Sequence, residues 1–91
     1  KRWPRNLVAQ MGVGNTAYRM KDLAQAEAAF RQAIQDHPDA VAALNNLAQV
    51  LADLGRDEEA LSFARRAVAL GGPLSDIAQA TQSDIERRLK Q

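Results

Sequence analysis

His37 is the chain's one histidine, and it stands between Asp36 and Pro38. Together with Asp39 it would offer a metal ion one imidazole and two turn carboxylates, a poor set for zinc. The chain has no cysteine to supply a thiolate, so the segment reads as a turn and no metal is expected. Ser62, Ser75 and Ser83 have no histidine at helical spacing to serve as a base, which leaves a serine nucleophile without support. Ser75 reads instead as a helix N-cap, its oxygen accepting from an early N–H. Asp57, Glu58 and Glu59 gather carboxylates, but without the spacing of a calcium loop. They suit the positive end of a helix dipole and read as a solvated helix start. Gly12-Val13-Gly14 lies inside a helical pattern, with no preceding strand and no Gly-Lys-Ser/Thr to make a phosphate loop. Arg65-Arg66 and Arg87-Arg88 read as charged surface. Nothing here assembles a reactive centre, so the chain is expected to be no enzyme and to take no cofactor.

The remaining chemistry is that of neutral amides and one tyrosine, which must be positioned by helices. The chain has 91 residues, enough for one domain. Its apolar content is 46%, yet only 4% of residues are aromatic, and many of the rest are alanine, which favours closely packed helices. Twelve basic residues face eleven acidic ones, so no strong field draws the chain to nucleic acid or to a membrane surface. No stretch approaches the roughly 20 apolar residues that span a bilayer, and no membrane insertion is expected.

The strongest pattern is a repeat, with a period of about 34 residues, the spacing of helix-turn-helix arrays. Shifted by one period, Ala26 falls on Ala60, Ala33 on Ala67, Ile34 on Val68 and Val13 on Leu47. Gly14 falls on Ala48, and Pro4 lies as far before Pro38 as Pro38 lies before Gly72. Ala29-Phe30 meets Phe63-Ala64, the same pair in exchanged order. Leu44, Leu47, Val50, Leu51 and Leu54 form one helical apolar face, which Gly55 should end. Leu23 to Asp36 is expected as a helix after the Lys21-Asp22 turn, and Pro38 blocks its continuation. Asp57 opens a further helix that runs to Gly71-Gly72. Small residues at Gly14, Ala26, Ala33, Ala48, Ala60 and Ala67 would let helix axes approach closely. Beyond Pro73, Ile77, Ala78, Thr81, Ile85 and Leu89 make one stripe, as expected of a capping helix.

This period resembles the tetratricopeptide repeat, whose pattern is W-x2-L-G-x2-Y, then A-x3-F, then P. The first match reads Gln10-x2-Val13-Gly14-x2-Ala17, Ala26-x3-Phe30, Pro38; the second reads Leu44-x2-Leu47-Ala48-x2-Leu51, Ala60-x3-Ala64, Gly72. The resemblance implies an all-α fold, a right-handed superhelix of antiparallel helical hairpins. Two repeats, 7–40 and 41–74, would be followed by a capping helix over 75–91, with 1–6 as the tail of an upstream repeat or linker. Residues Asn6-Leu7-Val8-Ala9 through Gly14-Asn15 are also similar to repeat tails on some bacterial cysteine-peptidase-like proteins, which implies a structural accessory to an upstream enzyme as an alternative role.

The family's groove positions, carried onto this sequence, imply Met11, Asn15, Tyr18 and Arg19 from the first repeat. The second gives Ala42, Asn45, Asn46, Gln49 and Asp53, and the capping helix Gln79 and Ser83. Such a groove would bind a protein or peptide through side-chain amides, which both donate and accept. Asn15 and Asn46 resemble asparagines that clamp a C-terminal carboxylate in chaperone-binding repeats. The basic partners of that clamp are missing: Met11 replaces a lysine, and Asp76 and Ala80 hold the other places. Asn46 is also similar to one rung of the asparagine ladder in glycosyltransferase repeats. An open outer face on the first helix leads to a last expectation, self-association into a homo-oligomer through the N-terminal end.

Overall fold

The computed structural model describes residues 5–90, so Pro4 and residues 1–4 of the expected tail lie outside the described residues. The described residues form five α-helices: α1 (Leu7–Arg19), α2 (Leu23–Asp36), α3 (Val41–Asp53), α4 (Asp57–Leu70) and α5 (Ser75–Leu89). Each packs on the next in sequence, and α3 also packs on α5. This places α1, α3 and α5 in one layer and α2 and α4 in the other.

Local sequence explains the helix limits. The Ala9 N–H donates to Asn6 Oδ1 at 3.1 Å and the Gln25 N–H to Asp22 Oδ1 at 3.2 Å, side-chain caps on α1 and α2. The turns after α1 and α3 use one backbone solution, one repeat apart. Lys21 has φ 65° and Gly55 φ 83°, the left-handed conformation that closes a helix C-terminus. Ser75 is not a cap: it is the first residue of α5, Leu74 holds the N-cap place, and no side-chain bond caps that end. The Ser75 N–H instead donates to the Gly72 carbonyl in the preceding turn, so Ser75 is already inside the helical path.

The core lies between the layers and is made of Ala26, Phe30, Ala33, Leu44, Leu47, Ala48, Leu51, Ala60, Ala64 and Ala67 with their neighbours. The two hairpins fill it in opposite ways. In the first, Gly14 and Ala17 make room for Phe30, which packs so tightly on α1 that a Cβ at position 14 would collide with its ring. In the second, Leu44 and Leu51 supply the bulk from α3, and the position opposite is only Ala64. Phe63, displaced by one residue, turns outward and lies under the guanidinium groups of Arg31 and Arg66, at 5.6 and 5.2 Å.

On α5 the buried residues are Ala78, Thr81 and Ile85. Ile77 is 54% and Leu89 40% exposed, which corrects the five-residue stripe. Ile77 falls about a hundred degrees round the helix from Ala78, and Leu89 lies in the last turn. The buried set sits one period beyond Leu44, Leu47 and Leu51, so α5 takes the place of a third first-helix. Where Gly14 and Ala48 would recur, α5 carries Gln82, whose amide donates to Glu86 along the same helix. That flank is polar surface. Arg88 ties the far end down: its Nη2 donates to the Ala52 carbonyl at 2.7 Å and lies 3.3 Å from Asp57 Oδ1.

The other layer carries a ring of alternating charge. Arg31 meets Glu27 and Glu59, and Arg56 meets the same two carboxylates. Hydrogen bonds from Arg31 and then Arg56 hold the Glu59 carboxyl below its ordinary pKa. This ring joins α2 to α4 on the surface opposite the amides.

Candidate functional site

Helix α3 places Asn45, Asn46, Gln49 and Asp53 along one side, since residues three and four apart share a helix face. Helix α1 does the same for Met11, Asn15 and Tyr18. The two helices meet through these side chains. Asn46 Nδ2 donates to Asn15 Oδ1 at 3.0 Å, and Tyr18 Oη donates to Asp53 Oδ2 at 2.5 Å. Further along, Gln49 Nε2 donates to Thr81 Oγ1 of α5 at 3.1 Å. A string of polar cross-links therefore runs over α1, α3 and α5.

Between the first two cross-links lies a recess of about 290 Å³, lined by Asn15, Tyr18, Phe30, Asn45, Asn46 and Gln49. Phe30 of α2 and Asn45 of α3 form its floor, being 1% and 6% exposed. No charged residue lines it. Asn45 Nδ2 reaches Asn46 Oδ1 only at 3.4 Å, and Asn45 Oδ1 is buried without a hydrogen-bond partner. Tyr18 closes one end. Its hydroxyl pKa is pushed up to about 12, first by the hydrogen bond to Asp53, then by burial. It therefore stays a donor at any ordinary pH.

Five residues named from the sequence, Asn15, Tyr18, Asn45, Asn46 and Gln49, thus border one recess. The alternative expectation for Asn45, plain exposed polar surface, is corrected: it is 6% exposed and lies in the recess floor. Asp53 sits just beyond, engaged by Tyr18. Met11 is half-buried against the core, and Arg19 and Gln79 are exposed outside the recess. Ala42 is half-buried and Ser83 exposed, also outside it. Two participants escape sequence reasoning. Phe30 matches the repeat's core position, and nothing in its spacing shows that its ring also floors a recess. Thr81 does give a usable signal: it is a polar residue in the slot of Leu47, one repeat on.

Elsewhere, His37 closes α2 and its Nε2 lies 2.6 Å from the Arg5 carbonyl. That oxygen can only accept, so this nitrogen carries the proton. Buried Gln10, in the place of the repeat's tryptophan, donates from Nε2 to Asp36 Oδ2 at 2.8 Å. That bond, followed by one from Gln32, keeps the Asp36 carboxyl below its usual pKa. These groups fasten turns. Among the described residues no three histidine, cysteine or acidic side chains converge as a metal site, and no helix is long and apolar enough to cross a membrane.

A second hollow, of about 550 Å³, lies on the outer side of α1 among Ala9, Gly12, Val13, Thr16, Met20 and Gln25. Val8 and Met20 beside it are 81% and 74% exposed. One repeat beyond Ala9, Val13 and Thr16, the residues Ala43, Leu47 and Val50 are fully buried, whereas Leu54, one repeat beyond Met20, is 39% exposed.

Comparison with curated proteins returned no match. A family model described as "Tetratricopeptide repeat" matches residues 13–74, about two thirds of the chain.

Proposed function

The chain belongs to the tetratricopeptide repeat family, a family of protein–protein interaction modules, and from that premise we propose that the face built by α1, α3 and α5 captures an extended segment of a partner protein. The carrying observation is the meeting of Asn15, Tyr18, Asn45, Asn46 and Gln49 around one recess on that face. Side-chain amides suit main-chain recognition because each offers both halves of a peptide hydrogen bond. The same groups brace the helices to one another, so a partner exchanges some of these cross-links for its own. The test is capture of partner protein by the chain and by a variant with Asn15, Asn46 and Gln49 all replaced by alanine. Asn15 and Gln49 are exposed, so the variant should keep its helical spectrum and lose most capture. Equal capture would move the site off this face.

A second reading rests on the outer side of α1. Its exposed residues Val8, Ala9, Gly12, Thr16 and Met20 carry no charge, Asp22 being the one ionised residue lining the hollow, and Ala43 and Val50, one repeat beyond Ala9 and Thr16, are buried. We infer that a second copy of the chain covers this surface when none other does. Sedimentation at increasing concentration should show a growing dimer fraction that Thr16→Lys removes. A monomer throughout would discard this reading while leaving the first intact.

A further inference from the structure

We infer that the recess between α1 and α3 selects one primary carboxamide, a glutamine or asparagine side chain, on the segment that binds there. This rests on the groove reading above and adds the chemistry of what is read. Three observations converge. First, Asn45 Oδ1 is buried and has no hydrogen-bond partner. Native structures leave few such groups, because an unsatisfied buried acceptor is destabilising. An apolar residue of the same volume would have served packing better at this position, where Leu44 and Leu47 flank it. Second, the amides of Asn15 and Gln49 are used on one side only. Asn15 accepts through Oδ1, which leaves its Nδ2 to donate; Gln49 donates through Nε2, which leaves its Oε1 to accept. The recess thus offers acceptors at Asn45 and Gln49 and a donor at Asn15. Third, no ionised group lines it, and the nearest carboxylate, Asp53, is held by Tyr18.

A carboxamide supplies both an N–H2 and a C=O on one short stem. A carboxylate brings acceptors alone and meets two more acceptors without a cation. An ammonium brings donors alone, no carboxylate lines the recess to meet it, and Asp53 just beyond already accepts from Tyr18. An aliphatic side chain fits the Phe30 floor but leaves every amide unsatisfied. The floor residues lie at the bottom of a hollow of about 290 Å³, a depth suited to an inserted side chain rather than to main chain. Asn45 Oδ1 is itself buried, so an incoming amide reaches it as the Asn45 side chain turns, and the 3.4 Å contact from its Nδ2 to Asn46 Oδ1 is weak enough to yield.

The test uses acetylated, amidated alanine–serine octapeptides that differ at one central residue: glutamine, glutamate, lysine or leucine. Binding to the 15N-labelled chain is followed through the side-chain amide signals of Asn15, Asn45, Asn46 and Gln49. The glutamine peptide should bind about tenfold more tightly than each of the others, the ratio that one buried hydrogen-bonded pair supplies. Asn45→Leu should remove that preference and raise the melting temperature, since it replaces an unsatisfied amide by a hydrocarbon of like size. Glutamate or leucine equalling glutamine would overturn the inference and leave groove binding standing. No shift with any peptide at millimolar concentration would overturn both. A folded Asn45→Leu chain that keeps the glutamine preference would also overturn it. If that variant fails to fold, the ranking of the four peptides on the unaltered chain decides alone.

Discussion

Tyr18 is the chain's single tyrosine, so its ionisation can be followed without interference. Its hydrogen bond to Asp53, with burial second, raises its pKa from 10.0 to about 12. In the unfolded chain the phenol ionises near the ordinary value. As pH rises the unfolded state therefore loses its proton first, and the stability from this contact, whole below pH 10, is gone by about pH 12. Tyrosinate absorbance should rise only near pH 12 in the native protein, and Asp53→Ala should bring that rise toward the ordinary value. An unchanged titration in the variant would mean that Asp53 is not the cause. Tyr18 also illustrates what sequence shows at this scale. The resemblance to the repeat family, through its groove positions, implies that Asn15, Tyr18, Asn46 and Gln49 share one face. That they bond to one another is not legible there, because it depends on the gap between α1 and α3. The burial of Asn45 is hidden for the same reason.

Two glycines of one element have opposite predicted behaviour. Gly12 faces open space, and an added Cβ meets nothing within 4 Å. Gly12→Ala should stabilise the chain by about 0.5–1 kcal/mol, the helix-propensity difference. Gly14 backs onto Phe30, so Gly14→Ala should destabilise by about 1–3 kcal/mol through overpacking. Urea unfolding of both variants checks the pair, and equal signs would contradict the packing described for α1. At the adjoining turn, Lys21 adopts the left-handed conformation that Gly55 adopts one repeat later. Lys21→Gly should gain up to about 1 kcal/mol by removing the Cβ strain of that conformation. Helix positions and the Gly55 stop are legible from period and turn residues. The start of α5 is not. Ser75 has the right type for a cap, whereas the Gly71-Gly72-Pro73 turn delivers the chain into the helix one residue earlier.

For the molecule as a whole, α5 completes the core without extending the array's small-residue contacts. Its attachment at the far end depends on Arg88, which bonds the last turn of α3 and approaches the first residue of α4. Arg88→Ala should cost about 1–2 kcal/mol, the range of a hydrogen bond to a charged group at a part-exposed site. It should also speed proteolytic cleavage in the last turns of α5 before the rest of the chain is cut. Uniform protection in the variant would show that Ala78, Thr81 and Ile85 suffice. From sequence, Arg87 and Arg88 read alike as charged surface. Arg87 fits that description, pairing only with Asp84 in its own helix. Arg88 does not, and no local pattern distinguishes two adjacent arginines of which only one reaches a distant carbonyl in α3. The layered all-α architecture itself is visible in sequence, since the period repeats helix pairs and not single helices.

The opposite filling of the two hairpins bears on how such a chain can be recombined. Transplanting α4 behind α1 would set Ala64 against Gly14 and Ala17, leaving a hollow where Phe30 belongs. Pairing α2 with α3 would force that phenyl ring against Leu44 and Leu51. Shared periodicity makes the four helices look like spare parts, yet each has become the fitted mould of its own mate. Evolutionary shuffling or laboratory grafting in this protein should succeed in whole hairpins and fail by halves.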